Sequence, residues 1–264
     1  TNFFTSQEEH MALSKLENLT GYKCPVLLCS GSEANEAAIK LAYKSSKKVG
    51  KIVHYLKGCY FGRTYLANMC SDNNDYKKYL PGSDFFKPVL SEDDLNENAV
   101  CLILERYPSV SLEWNLDIVS LVKKAQQLEI LVIVDETKGS FRVGNLFSFE
   151  NEFVPDVVTM SKSLASGFPL SAVLVKENLL PYCDEKWYST TTGGHKVGCS
   201  LAIKNLGNIY SLESSFAFEK EFFPKLQIIF SGRLHMKGRY ISISEIDGKA
   251  FGQWCMDKGF RIYT

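Results

Sequence analysis

Val154 to Leu174 reads VPDVVTMSKSLASGFPLSAVL, two apolar runs on either side of a turn that carries a single lysine. Val157-Val158-Thr159-Met160 is expected to form a short buried strand. It leads into Ser161-Lys162-Ser163 and then the turn Ala165-Ser166-Gly167-Phe168-Pro169. Ala172 to Val175 is expected to be the next strand. A lysine at the exit of a buried strand, between hydrophobic walls, has its ammonium form disfavoured by desolvation. That is how a lysine becomes a nucleophilic amine near neutral pH. On this stretch alone, a lysine snorkelling from a strand end is the simpler reading.

Upstream, Leu131-Val132-Ile133-Val134-Asp135-Glu136 places two carboxylates at the end of an apolar, mostly β-branched run. In open α/β sheets, ligands bind outside the carboxyl ends of the strands. A buried carboxylate is costly unless it meets a cation. The protonated ring nitrogen of pyridoxal phosphate is such a cation, and that cofactor is regularly held by a lysine with an acidic partner for its ring. Taken alone, Asp135 reads more simply as a helix cap after the strand.

The string Ser30-Gly31-Ser32-Glu33-Ala34-Asn35-Glu36-Ala37-Ala38-Ile39-Lys40-Leu41-Ala42 resembles the phosphate-loop block of class III pyridoxal-phosphate aminotransferases, the ornithine, acetylornithine and 4-aminobutyrate type. Tyr60-Phe61-Gly62-Arg63-Thr64, Asp135-Glu136, the Lys162 stretch and Thr190 to Cys199 resemble further family blocks in the family's order. Thr1-Asn2-Phe3-Phe4 resembles the segment where the family's large domain begins. The resemblance implies an α/β chain of the fold type I, aspartate-aminotransferase-like class. Residues 1–211 would be the large cofactor-binding domain, and residues 212–264 a linker helix with a truncated small C-terminal domain.

It also implies roles. Lys162 would carry pyridoxal 5'-phosphate covalently and move the substrate's α-proton, and Asp135 would keep the ring nitrogen protonated. Gly31 and Ser32 would hold the phosphate, with Thr191 reaching over from a second copy in a homodimer with shared sites. A helix start suits a phosphate, because its exposed amides and the macrodipole face the anion. Tyr60 would stack on the ring, and Thr137 would pack beneath it. Glu105 and Glu136 fall where the family meets substrate, an amino donor and a 2-oxo acid.

The chain departs from the family in several places. Phe61 replaces a histidine beside the stacking aromatic. Lys138 stands where a glutamine bonds the ring oxygen; a cation there favours the ionised oxygen but opposes the charge on the Lys162 amine. Arg106-Tyr107-Pro108-Ser109-Val110 follows Glu105 where a glycine-rich loop is usual, and His195 replaces an asparagine. A lone histidine at a helix start is ordinarily a cap. The family's carboxylate-binding arginine would lie beyond Thr264. These departures keep two alternatives open: a degenerate, non-catalytic paralogue serving as an assembly partner, and another pyridoxal-phosphate reaction such as racemisation or decarboxylation.

Elsewhere, Met11, Leu13, Leu16 and Leu19 give residues 5–19 a helical stripe. Strands are expected at Pro25–Cys29, Lys51–Tyr55 and Val100–Leu104, with helices from Gly31 to about Lys48 and from Asn115 to Gln127. Residues 70–98 are polar and turn-rich and read as a surface excursion. Leu212–Ser231 reads as helix, and Met236–Ser244, Lys249–Lys258 and Phe260–Tyr263 as strand, helix and strand. With 264 residues, 45% hydrophobic, the chain has enough apolar surface for a large core. Thirty basic and thirty acidic residues cancel, which suggests neither a nucleic-acid nor a membrane partner. Eight scattered cysteines suggest reduced thiols, with no disulfide or metal framework. The expected location is the cytoplasm, or the mitochondrial matrix if a targeting peptide has been removed.

Overall fold

A computed structural model describes residues 5–72, 75–110, 116–142, 145–184, 187–208, 224–225, 227–228, 234–237, 240–243 and 248–257. The chain divides into two compact units, Thr1–Leu212 and Glu213–Thr264.

The first unit is built on one sheet of seven strands: β1 (Lys23–Leu28), β2 (Ile52–Leu56), β3 (Phe86–Val89), β4 (Ala99–Leu104), β5 (Leu131–Asp135), β6 (Val157–Met160) and β7 (Ser171–Val175). Their order across the sheet is β1-β7-β6-β5-β4-β2-β3. Neighbours from β3 to β6 pair in parallel, whereas β7 runs antiparallel to both β6 and β1. β1 therefore points the same way as the parallel set. The carboxyl ends of β1, β2, β4, β5 and β6 come out along one edge, where a ligand site is expected.

The strands are apolar runs because both faces of the sheet are covered. Every residue of β4 (AVCLIL), β6 (VVTM) and β7 (SAVLV) is buried. α2 (Gly31–Ser45) lies over β4, β5, β6 and β7, and its small buried face of Ala34, Ala37, Ala38 and Ala42 lets it approach closely. α4 (Ile118–Gln127) packs on β5 through Ile118, Leu121, Val122 and Ala125. α1 (Gln7–Thr20) packs on α5 (Lys196–Gly207), and a short α3 (Tyr65–Met69) follows the Tyr60 loop. Truncating a buried leucine such as Leu102 to alanine would cost about 2–5 kcal/mol.

Helix ends follow local chemistry. The Ser6 hydroxyl accepts from the Glu9 amide at 3.0 Å, and Gly21 closes α1 in the left-handed region at φ 72°. His195 Nδ1 accepts from the Val197 amide at 3.2 Å, so this histidine caps α5.

Several expectations are corrected. Residues 70–98 contain a strand as well as surface turns: β3 pairs with β2 at the sheet edge, from Val53 opposite Phe86 to Leu56 opposite Val89. Its polar Lys87 and its Pro88 hide it in the sequence, and an edge strand tolerates both. In the second unit, the run read as one strand from Met236 is a hairpin. β8 (Leu234–Lys237) pairs antiparallel with β9 (Tyr240–Ile243), and α6 (Gly248–Asp257) follows. Thr1–Phe4, Asn115, the closing strand Phe260–Tyr263 and most of the expected Leu212–Ser231 helix lie outside the described residues.

Among the described residues no helix is long and apolar enough to cross a membrane, and no group of His, Cys, Asp and Glu could hold a metal ion. Cys24, Cys29, Cys59, Cys70, Cys101, Cys183 and Cys199 are free thiols.

Candidate active site

Asp135 is the last residue of β5 and is 4% exposed. Burial raises its pKa. Hydrogen bonds from Thr137 and Asn35 and the charge of Lys162 pull it the other way. The Thr137 amide donates to Oδ1 at 2.7 Å, and Asn35 Nδ2 donates to Oδ2 at 2.6 Å. The donors and Lys162 favour the ionised carboxylate, while burial still leaves its pKa above the ordinary aspartate range.

Lys162 opens a 3-10 turn, Lys162–Ala165, just past the end of β6. Its side chain is exposed, which corrects the expectation of a lysine walled in by apolar neighbours: the walls are β6 and β7, and the residue stands beyond their ends. Its backbone sits at φ 41°, in the left-handed region. That conformation costs a non-glycine residue about 1–2 kcal/mol and persists only where surrounding contacts impose it. Here Ser161 Oγ donates to the Leu170 carbonyl at 2.9 Å, and the Gly167 amide donates to the Lys162 carbonyl at 2.8 Å. From α5, Asn205 Nδ2 reaches the carbonyls of Ser163 and Leu164 at 3.0 and 3.1 Å.

Two further carboxyls crowd this edge. Burial pushes Glu105, just past the end of β4, up to about 7; Oε2 accepts from the Tyr60 amide (3.2 Å), the Ser109 amide (2.9 Å) and Ser109 Oγ (2.6 Å). The segment that replaces the glycine-rich loop thus folds back onto Glu105. Burial pushes Glu136 up to about 8, and it is 0% exposed, held by the Ser148 amide at 3.1 Å and paired with the Ser148 hydroxyl. Glu136 is thus enclosed in the protein in the single chain.

Gly31 starts α2, after Ser30 caps the helix. A Cβ on Gly31 would stand 2.6 Å from Thr137 Oγ1, so only glycine lets the helix start approach the end of β5 this closely. Ser32 differs from expectation. Its Oγ accepts from the amides of Arg63 (2.9 Å) and Thr64 (3.0 Å) and donates to Thr64 Oγ1 (3.1 Å), so the hydroxyl binds the Tyr60 loop to α2. At Gly62, φ 125°, a side chain would collide with Ser32. Tyr60 is half-buried at this edge, while Phe61 is 1% exposed and belongs to the core beneath it.

Lys138 is half-buried. Burial lowers its pKa against the opposing charge of Glu105, and its carbonyl accepts from Arg142 Nη1 at 2.7 Å. Thr191 is exposed, and its neighbour Thr192 places Oγ1 3.1 Å from Cys29 Sγ, at the end of β1. Gly31, Tyr60, Glu105, Asp135, Thr137, Lys138 and Lys162 therefore share one edge of the sheet. A cavity of about 810 Å³, bordered by Val100, Leu131 and Lys176, opens near the opposite strand ends and shares none of them.

Sequence reasoning passed over Asn35, Thr159 and Ser148, the residues that hold the buried carboxyls. A signal existed for Asn35: it is a lone amide on the alanine-rich buried face of α2, where an unsatisfied amide would be costly.

The class-III aminotransferase family pattern matches residues 1–122 and 110–221. An acetylornithine aminotransferase from Oceanobacillus iheyensis is 31% identical over 253 residues, covering 85% of this chain and 60% of that protein. Its counterpart in Lactococcus lactis is 32% identical over 224 residues, covering 80% and 58%. This chain thus spans less than two thirds of the length of these relatives. Among solved structures, the ornithine aminotransferase of Toxoplasma gondii superposes with a TM-score of 0.81 at 22% identity, covering 98% of this chain and 69% of that one. A PMP-bound aminotransferase from Vibrio fluvialis gives 0.82 at 19% identity, covering 98% and 72%. At such identities these structures speak for the fold.

Proposed function

The chain belongs to the class-III aminotransferase family, and we propose that it carries the active site of a pyridoxal-phosphate-dependent aminotransferase acting on an amino donor of the ornithine, acetylornithine or 4-aminobutyrate kind and on a 2-oxo acid. The observation that carries this reading is the pairing at the sheet edge. Asp135 is buried, Asn35 and Thr137 donate to its two oxygens, and the charge of Lys162 at the end of the next strand favours its ionised form against the upward push of burial.

These residues fit pyridoxal 5'-phosphate. Asp135 offers a buried carboxyl oxygen as the partner for a protonated ring nitrogen, and Lys162 offers an exposed primary amine. Gly31 and Ser32 begin α2, where the first amides have no acceptor within the helix and suit a phosphate. The absent Cβ at Gly31 lets Thr137 lie against this helix start. When bound, the cofactor supplies an electron-withdrawing ring that accepts the charge left when the substrate's α-proton departs. Lys162 Nζ holds the cofactor and then takes and returns that proton. Asp135 would keep the ring nitrogen charged, and the half-buried Tyr60 would pack against the ring. Lys138 would favour the ionised form of the ring oxygen. Burial pushes Glu105 up to about 7, so near neutral pH it carries its charge in only about half of the molecules, which limits the negative charge at the edge.

Thr191 is exposed in the single chain, as a residue that reaches a neighbouring copy must be. A homodimer with shared sites is therefore part of the reading. The free thiols suit a reducing, cytoplasm-like compartment.

The test is incubation with pyridoxal phosphate. A visible absorption band is expected, and borohydride reduction should fix the cofactor on Lys162, as read by peptide mass. Lys162→Ala should show neither. A wild-type chain that stays colourless with excess cofactor refutes the reading.

A further inference from the structure

Asn35 lies one helical turn beyond Gly31 and is 1% exposed. Its amide is fully used. Nδ2 donates to the Phe61 carbonyl at 2.8 Å and to Asp135 Oδ2 at 2.6 Å, while Oδ1 accepts from Thr159 Oγ1 at 2.6 Å. The orientation is unambiguous, because a backbone carbonyl can only accept, so the nitrogen must face Phe61. Both amide hydrogens are then spent, and Asn35 meets Asp135 strictly as a donor. The Thr159 proton is committed to Asn35 Oδ1, with Oγ1 3.5 Å from Asp135 Oδ1. Three elements meet at this one amide: the Tyr60–Phe61 loop, the end of β5 and the β6 strand that leads to Lys162.

We propose that Asn35 is a positioning residue that keeps Asp135 an anion aimed at the cofactor's ring nitrogen, with the Thr159 hydroxyl locking its amide in the donating orientation. This rests on the reading of the chain as a pyridoxal-phosphate enzyme. A proton shared between a pyridine nitrogen and a carboxylate stays on nitrogen when other donors stabilise the carboxylate. Without Asn35 the proton moves toward Asp135, and the ring loses the charge that makes it an electron sink.

A cofactor analogue whose ring nitrogen is replaced by carbon separates this role from simple packing. Pyridoxal phosphate and the analogue share every other contact, so their ratio of dissociation constants reports the Asp135–nitrogen interaction alone. Wild type is expected to prefer pyridoxal phosphate. Asn35→Ala should cut that preference by about tenfold to a hundredfold, the effect of one hydrogen bond to a charged group. Thr159→Val, close in shape and sparing the Phe61 contact, should cut it in the same direction by less; it carries the test if Asn35→Ala does not fold. In an Asp135→Asn background, Asn35→Ala should change the ratio no further, whereas a purely structural role leaves the ratio untouched in every background. Undiminished preference in both single variants overturns the inference and leaves the functional reading standing. A wild type that binds both ligands equally overturns the role given to Asp135, and one that takes up neither overturns the functional reading; the inference falls with either.

Discussion

Glu136→Gln should flatten the pH dependence of stability and leave the neutral-pH fold intact. The Glu136 carboxyl is 0% exposed, and burial, together with the charges of Asp135 and Glu105, holds its pKa at about 8 against 4.5 for a free glutamate. Below pH 4.5 the folded and unfolded chains both carry the proton, and its contribution is complete. Between those two values only the folded chain keeps it, so unfolding releases a proton and each pH unit costs about 1.4 kcal/mol. From pH 5 to pH 7 the wild type should therefore lose on the order of 3 kcal/mol through this residue, with the loss continuing until about pH 8. Glutamine mimics the protonated acid: its oxygen can accept from the Ser148 amide and its nitrogen can donate to the Ser148 hydroxyl. The variant should match wild type near pH 5 and exceed it near pH 7. Glu105, raised to about 7, slopes the same way and will leave a residual dependence in the variant. Urea unfolding followed by circular dichroism at several pH values measures this directly. Parallel curves for the two proteins from pH 5 to 7 would refute the assignment of a proton to Glu136.

Asp135→Asn should still take up pyridoxal phosphate but lose nearly all turnover; activity within about tenfold of wild type, about 1.4 kcal/mol of barrier, would make Asp135 structural. Gly31→Ala puts a methyl 2.6 Å from Thr137 Oγ1, which should destabilise the chain by about 1–3 kcal/mol and weaken cofactor binding. Melting curves with and without pyridoxal phosphate will show whether both fall. Thr191→Ala should weaken cofactor retention and dimerisation together, because a phosphate held across two chains links the two equilibria. Sedimentation with and without cofactor checks this, and a monomer that binds cofactor as tightly as the dimer contradicts it.

What the sequence made legible follows from what each level of structure needs. β5 and β6 were readable because a strand covered on both faces must be apolar throughout, and LVIVD and VVTM are. Asp135 and Lys162 stood out because each puts a charge at the end of such a run. β3 was hidden because an edge strand of four residues with Lys87 and Pro88 needs no apolar pattern. The hairpin of β8 and β9 was merged into one strand because its halves are short and separated by only two positions, 238 and 239. The supports of the site were harder still. Ser148 lies 12 residues after the Glu136 it holds, and Thr159 lies 124 residues after Asn35. Such partners are brought together by the order of strands across the sheet, which no local period encodes. The burial of Phe61 beneath the half-buried Tyr60 is hidden for the same reason: the Tyr60 loop is tied down by Ser32 from another element. A motif thus names the groups that do chemistry, whereas the topology decides which neighbours set their charge. Asn35 belongs to both, since it sits within the phosphate-loop string and spends its donors on the carboxylate at the end of β5.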